Sequence, residues 1–202
     1  MIKKIWMITK VLIKVMFKKI GIDVKKSRPL RPSMGFIYKY FADKQIIGAE
    51  VGVKRGINAF SMLKYMDIKK LYLVDPYEAY VEYTEDVTDS ILGEAERQAK
   101  ERLSRFSEKT IWIKKYSNDA LDDVPNELDF VYVDGNHAYK YVKEDINNYY
   151  KKLKVSGVLA GHDVEGEDII KAVREFVNEN NLQLNISVPD WRVIKRRKET
   201  QN

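Results

Sequence analysis

The sequence has 202 residues, of which 45% are hydrophobic and 33% charged, and it contains no cysteine. This composition is that of a globular protein, and the length suits one domain with a core plus an appendage. The lack of cysteine excludes disulfides, thiol nucleophiles and cysteine-ligated metal centres, and it is consistent with a reducing, cytoplasmic location.

The net charge of +6 is unevenly distributed. Residues 1–32 carry ten Lys and Arg residues against one acid, a net charge of +9, so residues 33–202 sum to −3. The basicity therefore belongs to the N-terminal arm, and the body does not have the charge of a nucleic-acid-binding domain.

Residues 2–20 show the pattern of a basic amphipathic helix, whose lysine-free runs are too short for a membrane span. Two interpretations stay open: the helix packs on the body or on a second copy of the chain, or it binds an anionic membrane surface from the cytoplasmic side. A polar segment rich in proline and lysine ends near residue 32. We therefore divide the chain into an arm and linker, residues 1–32, and a domain, residues 33–198.

Beyond the arm, short apolar runs alternate with helical patterns. The predicted helices are 34–41, 58–65, 91–106, 138–153 and 167–178, and the predicted strands are 46–51, 70–74, 110–114, 130–133, 157–161, 182–188 and 190–195. The alternation predicts an α/β, Rossmann-like, doubly wound fold with a mostly parallel seven-stranded sheet. The last two strands are joined so tightly that we expect an antiparallel hairpin at one edge.

The first predicted strand ends in an acid and is followed by two glycines, Gly52 and Gly56, before a helix. The simplest interpretation is a tight turn that needs glycine for its geometry. Glu50 at the strand end and Asp75 after the second strand favour a ligand-binding loop instead. An acid in the position of Asp75 can accept hydrogen bonds from the hydroxyls of a ribose. Together they predict a nucleoside site.

Two further acids, Asp134 and Asp163, follow the fourth and fifth predicted strands. Parallel neighbouring strands lie about 4.8 Å apart, so their carboxylates should converge at one edge of the sheet. Such a pair either shares a proton or holds a cation.

In these segments the chain resembles class I S-adenosylmethionine-dependent methyltransferases. It is most similar to the metal-dependent O-methyltransferase-like branch found with macrolide- and glycan-modifying enzymes. The resemblance covers roughly residues 36–196 and leaves out the arm. The matching segments are EVGVKRG (50–56), LYLVDP (71–76), DFVYVDGNHAYKYVKEDINNYY (129–150), GVLAGHDV (157–164) and DWRVIK (190–195).

The resemblance implies that S-adenosyl-L-methionine binds at the ends of the first three strands. Two glycines would line its methionine part, with Glu50 near the amino end, Asp75 on the ribose hydroxyls and residues 118–120 beside the adenine. The implied cofactor-binding residues are Glu50, Gly52, Gly56, Asp75, Asn118, Asp119 and Ala120.

On the acceptor side, Asp134 and Asp163 match metal carboxylates of that branch, which makes Mg²⁺ a candidate ion. His137 matches a general base and, with Asp134, forms the implied catalytic pair. His162 stands where relatives often carry an acid, and an imidazole is a poorer magnesium ligand than a carboxylate. A requirement for metal therefore stays open, with Asn136 or water as candidate further ligands.

The predicted function is O-methylation of a hydroxyl on a sugar, glycan or small metabolite. Nearby tyrosines either cover the acceptor or pack as a partly buried cluster. They are Tyr77, Tyr80 and Tyr83.

The sequence has two alternative interpretations. A short-chain NAD(P)-dependent dehydrogenase would use the two glycines and a Tyr139-xxx-Lys143 pair, but Asn58 replaces its third glycine and the pair comes too early in the chain. A non-catalytic methyltransferase-like scaffold, recruited by the basic arm, would not need the acids at the strand ends.

Overall fold

The computed structural model describes residues 29–79 and 88–197. The predicted amphipathic helix at 2–20 and two of the three tyrosines, Tyr80 and Tyr83, lie outside these ranges. Within them, no helix is both long and apolar enough to cross a membrane.

Seven strands of the described chain form one sheet in the order β3-β2-β1-β4-β5-β7-β6. Strands β1 to β5 run parallel to one another, whereas β7 is antiparallel to both β5 and β6. This confirms the predicted Rossmann-like fold with its C-terminal hairpin. The strands are β1 (Ile46–Val51), β2 (Ile68–Val74), β3 (Thr110–Ile113), β4 (Leu128–Val133), β5 (Leu153–Gly161), β6 (Asn185–Ser187) and β7 (Asp190–Ile194).

Helices cover both faces of the sheet, which is why β4 is buried along its whole length and is apolar from Phe130 to Val133. Two of the helices pack with one core cluster, around Tyr149 and Phe176, and the other three pack with a second cluster, around Met34 and Met62. The helices are α1 (Pro32–Tyr40), α2 (Ile57–Tyr65), α3 (Asp89–Leu103), α4 (Tyr139–Lys152) and α5 (Glu167–Glu179), of which α4 and α5 share the first cluster.

Two strands, β5 and β6, differ most from the sequence prediction, and the other strands agree with it to within two residues at each end. Strand β5 begins at Leu153 rather than at Gly157, because Leu153 already pairs with Leu128 before the register shifts. Strand β6 is shorter than the predicted 182–188, since the Leu182 amide donates to the Val177 carbonyl at the end of α5. The outer strand of the hairpin is therefore only three residues long.

The strand order reverses between β1 and β4. The chain first adds β2 and β3 on one side of β1 and then places β4 on its other side. Ligands of doubly wound folds bind in the crevice beyond the carboxyl ends of the strands at such a point. The acids at the ends of β1, β2, β4 and β5 meet this edge, so the fold brings the predicted site residues to one side of the sheet.

Candidate active site

Gly52 lies at the centre of this edge, directly after β1. Its φ is +85°, and a Cβ at this position would lie 2.1 Å from the Asp134 carbonyl oxygen. Backbone hydrogen bonds run on past the strand ends here, from the Gly52 amide to the Val74 carbonyl and from the Asp134 amide to the Val51 carbonyl. Only glycine allows both the backbone conformation and this close approach.

Gly56 has a different role. It precedes α2 with a φ of +64°, and a Cβ there would lie 3.2 Å from Ala99 Cβ and from Leu103 Cδ1 of α3. The structure therefore shows Gly56 as a residue that lets two helices approach each other. Its predicted contact with the methionine part of the cofactor stays a prediction.

Asp75 anchors the loop that follows β1. Its Oδ2 accepts hydrogen bonds from the Val53 and Lys54 amides, both at 2.8 Å, and its Oδ1 accepts one from the Tyr77 amide. A carboxylate has about four acceptor sites, so one is left for a ribose hydroxyl. Burial raises the pKa of Asp75, and the three backbone amides oppose that shift.

Glu50 is buried beneath the same loop. Its Oε1 accepts a hydrogen bond from the Asn58 side-chain amide at 2.9 Å, whereas its Oε2 has no partner. Burial raises the pKa of Glu50 to about 8. A buried carboxylate oxygen without a partner suits a ligand that brings a donor or a positive charge, such as the ammonium group of a methionine moiety.

The segment after β3 makes a turn that is hydrogen-bonded to α4. Asn118 is exposed, donates to Glu144 Oε2 at 2.7 Å and accepts from the Asn148 amide at 3.1 Å. Asp119 is exposed and Ala120 is buried. The three residues thus follow β3 at the carboxyl edge of the sheet, where the side chain of Asn118 is hydrogen-bonded to α4. Their contact with the adenine stays a prediction.

Asp145 of α4 was missed by the sequence prediction. It is buried, its Oδ1 has no hydrogen-bond partner, and its Oδ2 would lie 3.5 Å from a Cβ at Gly135. Burial raises its pKa to about 7, opposed by a hydrogen bond with Ser117. A signal existed, because Asp145 shares the apolar face of α4 with Val142 and Tyr149, where an acid is out of place.

On the other side of Gly52, a cluster forms at the ends of β4 and β5. One oxygen or nitrogen from each of Asp134, His162 and Asp163 lies within 4.8 Å of the others. The amide of His162 donates to the Val133 carbonyl, which extends the β4–β5 pairing to the cluster. Burial raises the pKa of Asp134, and the charge of Arg31 opposes that shift.

The cluster fits a divalent cation. His162 Nδ1 is buried and makes no hydrogen bond, although Asp163 Oδ1 lies 2.8 Å away and Asp134 Oδ1 3.8 Å away. An imidazole nitrogen that makes no hydrogen bond and lies near two carboxylates can bind a metal ion in its neutral form. Because one donor is an imidazole, the set suits Mn²⁺ or another transition ion better than Mg²⁺.

His137 meets this cluster from the loop before α4. Its Nε2 lies 3.2 Å from Asp163 Oδ2, and 51% of its side chain is exposed. The imidazole of His137 and the carboxylate of Asp163 are therefore near neighbours at the ends of β4 and β5. Both histidines of the chain therefore lie at this edge of the sheet.

Arg31 is the second residue that the sequence prediction missed. Its Nη1 lies 2.7 Å from Asp134 Oδ2 and 3.0 Å from the Tyr132 hydroxyl. The two charged residues are 103 positions apart, and no local motif connects them.

Other side chains near the site have structural roles. The Asn136 side-chain oxygen accepts from the Ala138 amide, which shapes the turn into α4. Its part as a further metal ligand stays a prediction. Tyr77 is buried and donates to the Lys54 carbonyl, so it supports the loop rather than covering an acceptor. Tyr139 and Lys143 are both tied to Glu175 of α5.

Residues 49–164, more than half of the chain, match the family described as a methyltransferase domain. The chain belongs to this family. The match begins in β1 and ends just past Asp163, so it includes both halves of the candidate site. It also removes the dehydrogenase alternative.

Among curated proteins, this methyltransferase is similar to an uncharacterized protein of Acanthamoeba polyphaga mimivirus, with 27% identity over 148 residues. That alignment covers 68% of the chain and 62% of the viral protein. A second relative, from Sinorhizobium fredii, is 34% identical over 84 residues, which are 41% of the chain and 8% of that protein. The methyltransferase thus spans less than two thirds of either relative.

Solved methyltransferase structures share its fold. A putative caffeoyl-CoA O-methyltransferase from Staphylococcus aureus has a TM-score of 0.63 at 12% identity and covers 96% of this chain and 100% of its own. A putative methyltransferase from Streptococcus mutans, solved with SAH, has a TM-score of 0.59 at 19% identity, with 83% and 96% covered. An rRNA methylase from Streptococcus thermophilus has a TM-score of 0.57 at 20% identity, with 84% and 98% covered.

The family confirms the resemblance to S-adenosylmethionine-dependent methyltransferases, and these structures support the fold. The neighbours act on different acceptors, as the O-methyltransferase and the rRNA methylase show. These comparisons therefore do not indicate a methyl acceptor for this chain.

Proposed function

We propose that the protein transfers the methyl group of S-adenosylmethionine to a hydroxyl of a sugar, glycan or small metabolite. The observation that carries the proposal is the pair His137 and Asp163, whose Nε2 and Oδ2 lie 3.2 Å apart beside Asp134. A hydroxyl nucleophile needs a base, and this pair supplies one held in orientation by a carboxylate.

The reaction forms a bond between the acceptor oxygen and the methyl carbon while the bond from that carbon to sulfur breaks. Sulfur leaves with the bonding electrons, as S-adenosylhomocysteine, and the hydroxyl proton passes to His137 Nδ1. The protein's own task is to align the two reactants in line and to exclude alternative orientations, which contributes more to rate than the base does.

The cofactor half of the proposal uses the residues at the ends of β1 and β2. Asp75 would accept a ribose hydroxyl with its remaining acceptor site, and Glu50 Oε2 would accept from the ammonium group. The close approach of Gly52 to the Asp134 carbonyl supports an arrangement in which the two reactants would meet across the strand switch point.

A divalent cation, if bound, would be held by Asp134, His162 and Asp163 and would lower the pKa of the acceptor hydroxyl as a Lewis acid. The residues of the chain would still position the acceptor and take its proton. We expect Mn²⁺ to bind in preference to Mg²⁺ because of His162.

The test is a methyl-transfer assay that detects S-adenosylhomocysteine, run over sugar and catechol acceptors, with metal and with chelator. We expect one hydroxyl acceptor to be turned over, and His137→Gln to lower turnover by about 100-fold while cofactor affinity stays unchanged. The matched control is Asn136→Ala, which alters the same loop but removes no base. Transfer that His137→Gln leaves intact would contradict the role of His137.

We also propose that residues 2–20 bring the enzyme to an anionic membrane surface on the cytoplasmic side, which would suit a lipid-linked sugar acceptor. The support is the sequence pattern, which predicts Lys3, Lys10, Lys14 and Lys18 on one face of the predicted helix. Sedimentation with vesicles containing anionic lipid should carry the full chain down, and exchange of three of these lysines for glutamate should prevent it. Unchanged sedimentation would contradict the proposal and leave self-association or packing on the body.

A further inference from the structure

Arg31 lies immediately before α1, whose first residue is Pro32. Its guanidinium reaches over β4 to the acceptor side, where Nη1 lies 2.7 Å from Asp134 Oδ2 and 3.0 Å from the Tyr132 hydroxyl. The side chains of Arg31 and Asp134 are 29% and 18% exposed. A partly buried pair of this kind is screened much less than a surface ion pair.

A buried network holds this arginine in place. The Tyr132 hydroxyl donates to Asp190 Oδ1 at 2.8 Å, and Asp190 Oδ2 accepts from the Ser33 amide at 2.8 Å. Asp190 is fully buried at the start of β7. Ser33 is two residues beyond Arg31, so the network fixes the beginning of α1 against the sheet and directs Arg31 to Asp134.

We propose that Arg31 is a built-in counter-cation of the acceptor site, which binds one oxygen of Asp134 and thereby weakens divalent-cation binding to the cluster of Asp134, His162 and Asp163. The inference rests on the proposed function only in placing the acceptor at this cluster. Arg31 is a positioning residue here, since it acts through Asp134.

Arg31 and a bound metal ion would have to share the single negative charge of Asp134. A guanidinium keeps its positive charge at every pH at which proteins fold, so Arg31 cannot be neutralised. While it pairs with Oδ2, a metal ion on Oδ1 meets a carboxylate whose charge is already balanced and a second cation close by. A metal must therefore either displace Arg31 or share Asp134 with it, and both weaken its binding.

The same pair places a fixed positive charge against Asp134 in the absence of a metal. Burial raises the pKa of Asp134, and the charge of Arg31 is the largest effect that opposes this. In the metal-free site the positive charge near the acceptor is thus supplied by the chain itself.

The test measures Mn²⁺ binding to the full chain without cofactor or acceptor, by loss of the electron paramagnetic resonance signal of free Mn²⁺. We expect Arg31→Gln to bind Mn²⁺ about tenfold more tightly than the unmodified protein, a change that corresponds to about 1.4 kcal/mol. The matched control is Arg192→Gln, because Arg192 also lies near α1, over the Phe36 ring, but has no contact with Asp134 in the described chain. It should bind Mn²⁺ as the unmodified protein does.

A second variant, Arg31→Lys, keeps the charge but loses the planar fork, and it should give an intermediate affinity. It serves if Arg31→Gln does not fold, which circular dichroism would show. Unchanged or weaker Mn²⁺ binding in the folded variants would overturn the proposal, and so would equal strengthening in Arg192→Gln. These outcomes leave the proposed methyl transfer untouched, because that function is tested by S-adenosylhomocysteine formation.

Discussion

The two halves of the candidate site are built in different ways. The cofactor half is local: Asp75 is held by the amides of Val53, Lys54 and Tyr77, and Glu50 by Asn58, eight residues away. The acceptor half joins Arg31, Asp134 and Asp163, which the chain brings together only through the completed sheet. A motif in the sequence can therefore report the first half, whereas the second depends on packing of the whole fold.

The largest effect should come from the point where the halves touch. Gly52→Ala places a Cβ 2.1 Å from the Asp134 carbonyl in a backbone conformation that alanine disfavours. We expect a loss of stability of about 3 kcal/mol or more, or no folded protein, in urea unfolding. Gly93→Ala in α3 is the matched control, since nothing lies within 4 Å of the added Cβ, and it should stabilise by about 0.5–1 kcal/mol. Equal changes in stability for the two variants would show that the backbones of the two halves are not in close contact at Gly52.

In the cofactor half, Glu50 should make the stability of the protein depend on pH. The folded pKa of Glu50, about 8, exceeds its ordinary value of 4.5, so the folded protein binds the extra proton between these values and loses stability as pH rises through that window. Glu50→Gln removes this dependence and should stabilise the cofactor-free protein by a few kcal/mol at about pH 9 but little at about pH 5. Urea unfolding at both pH values is the measurement. If the stabilisation were the same at the two pH values, the buried charge would not be its cause.

A smaller effect should separate the acceptor half from the cofactor half. Tyr132→Phe removes the hydroxyl between Arg31 and the buried Asp190. We expect a loss of about 1–2 kcal/mol in stability, because a buried carboxylate oxygen loses its donor. The affinity for S-adenosylmethionine, measured by calorimetry, should stay unchanged. A large loss of cofactor affinity in this variant would mean that the two halves are coupled.

Much of the fold could be predicted because each element carries a local signal. Strand β4 is buried on both faces and reads as an apolar run, and the glycines after β1 mark positions of positive φ. The order of alternating strands and helices then restricts the sheet to few arrangements. Asp134 and Asp163 were predicted in this way, since each follows a recognisable strand, whereas His137 was implied by the resemblance.

Arg31 could not be predicted for a physical reason. It belongs to a segment whose composition indicates a linker, and its partner lies 103 residues later. Asn118 is a milder case, because its position at the edge was predicted but its hydrogen bonds to Glu144 and Asn148 depend on how α4 packs. Asp145 had a signal in the apolar face of α4, although nothing in the sequence indicated which loop it would meet.

The most direct test of the account is calorimetric titration of S-adenosylmethionine into two isosteric variants, Asp75→Asn and Asp163→Asn. The account predicts that the unmodified protein binds the cofactor, that Asp75→Asn weakens binding by about tenfold or more, and that Asp163→Asn leaves it within about twofold. Asparagine tolerates the positive φ of Asp163, so the second change keeps the backbone. The absence of binding to the unmodified protein, or an equal loss in both variants, would contradict a cofactor site at β1 and β2 that is separate from the acceptor site.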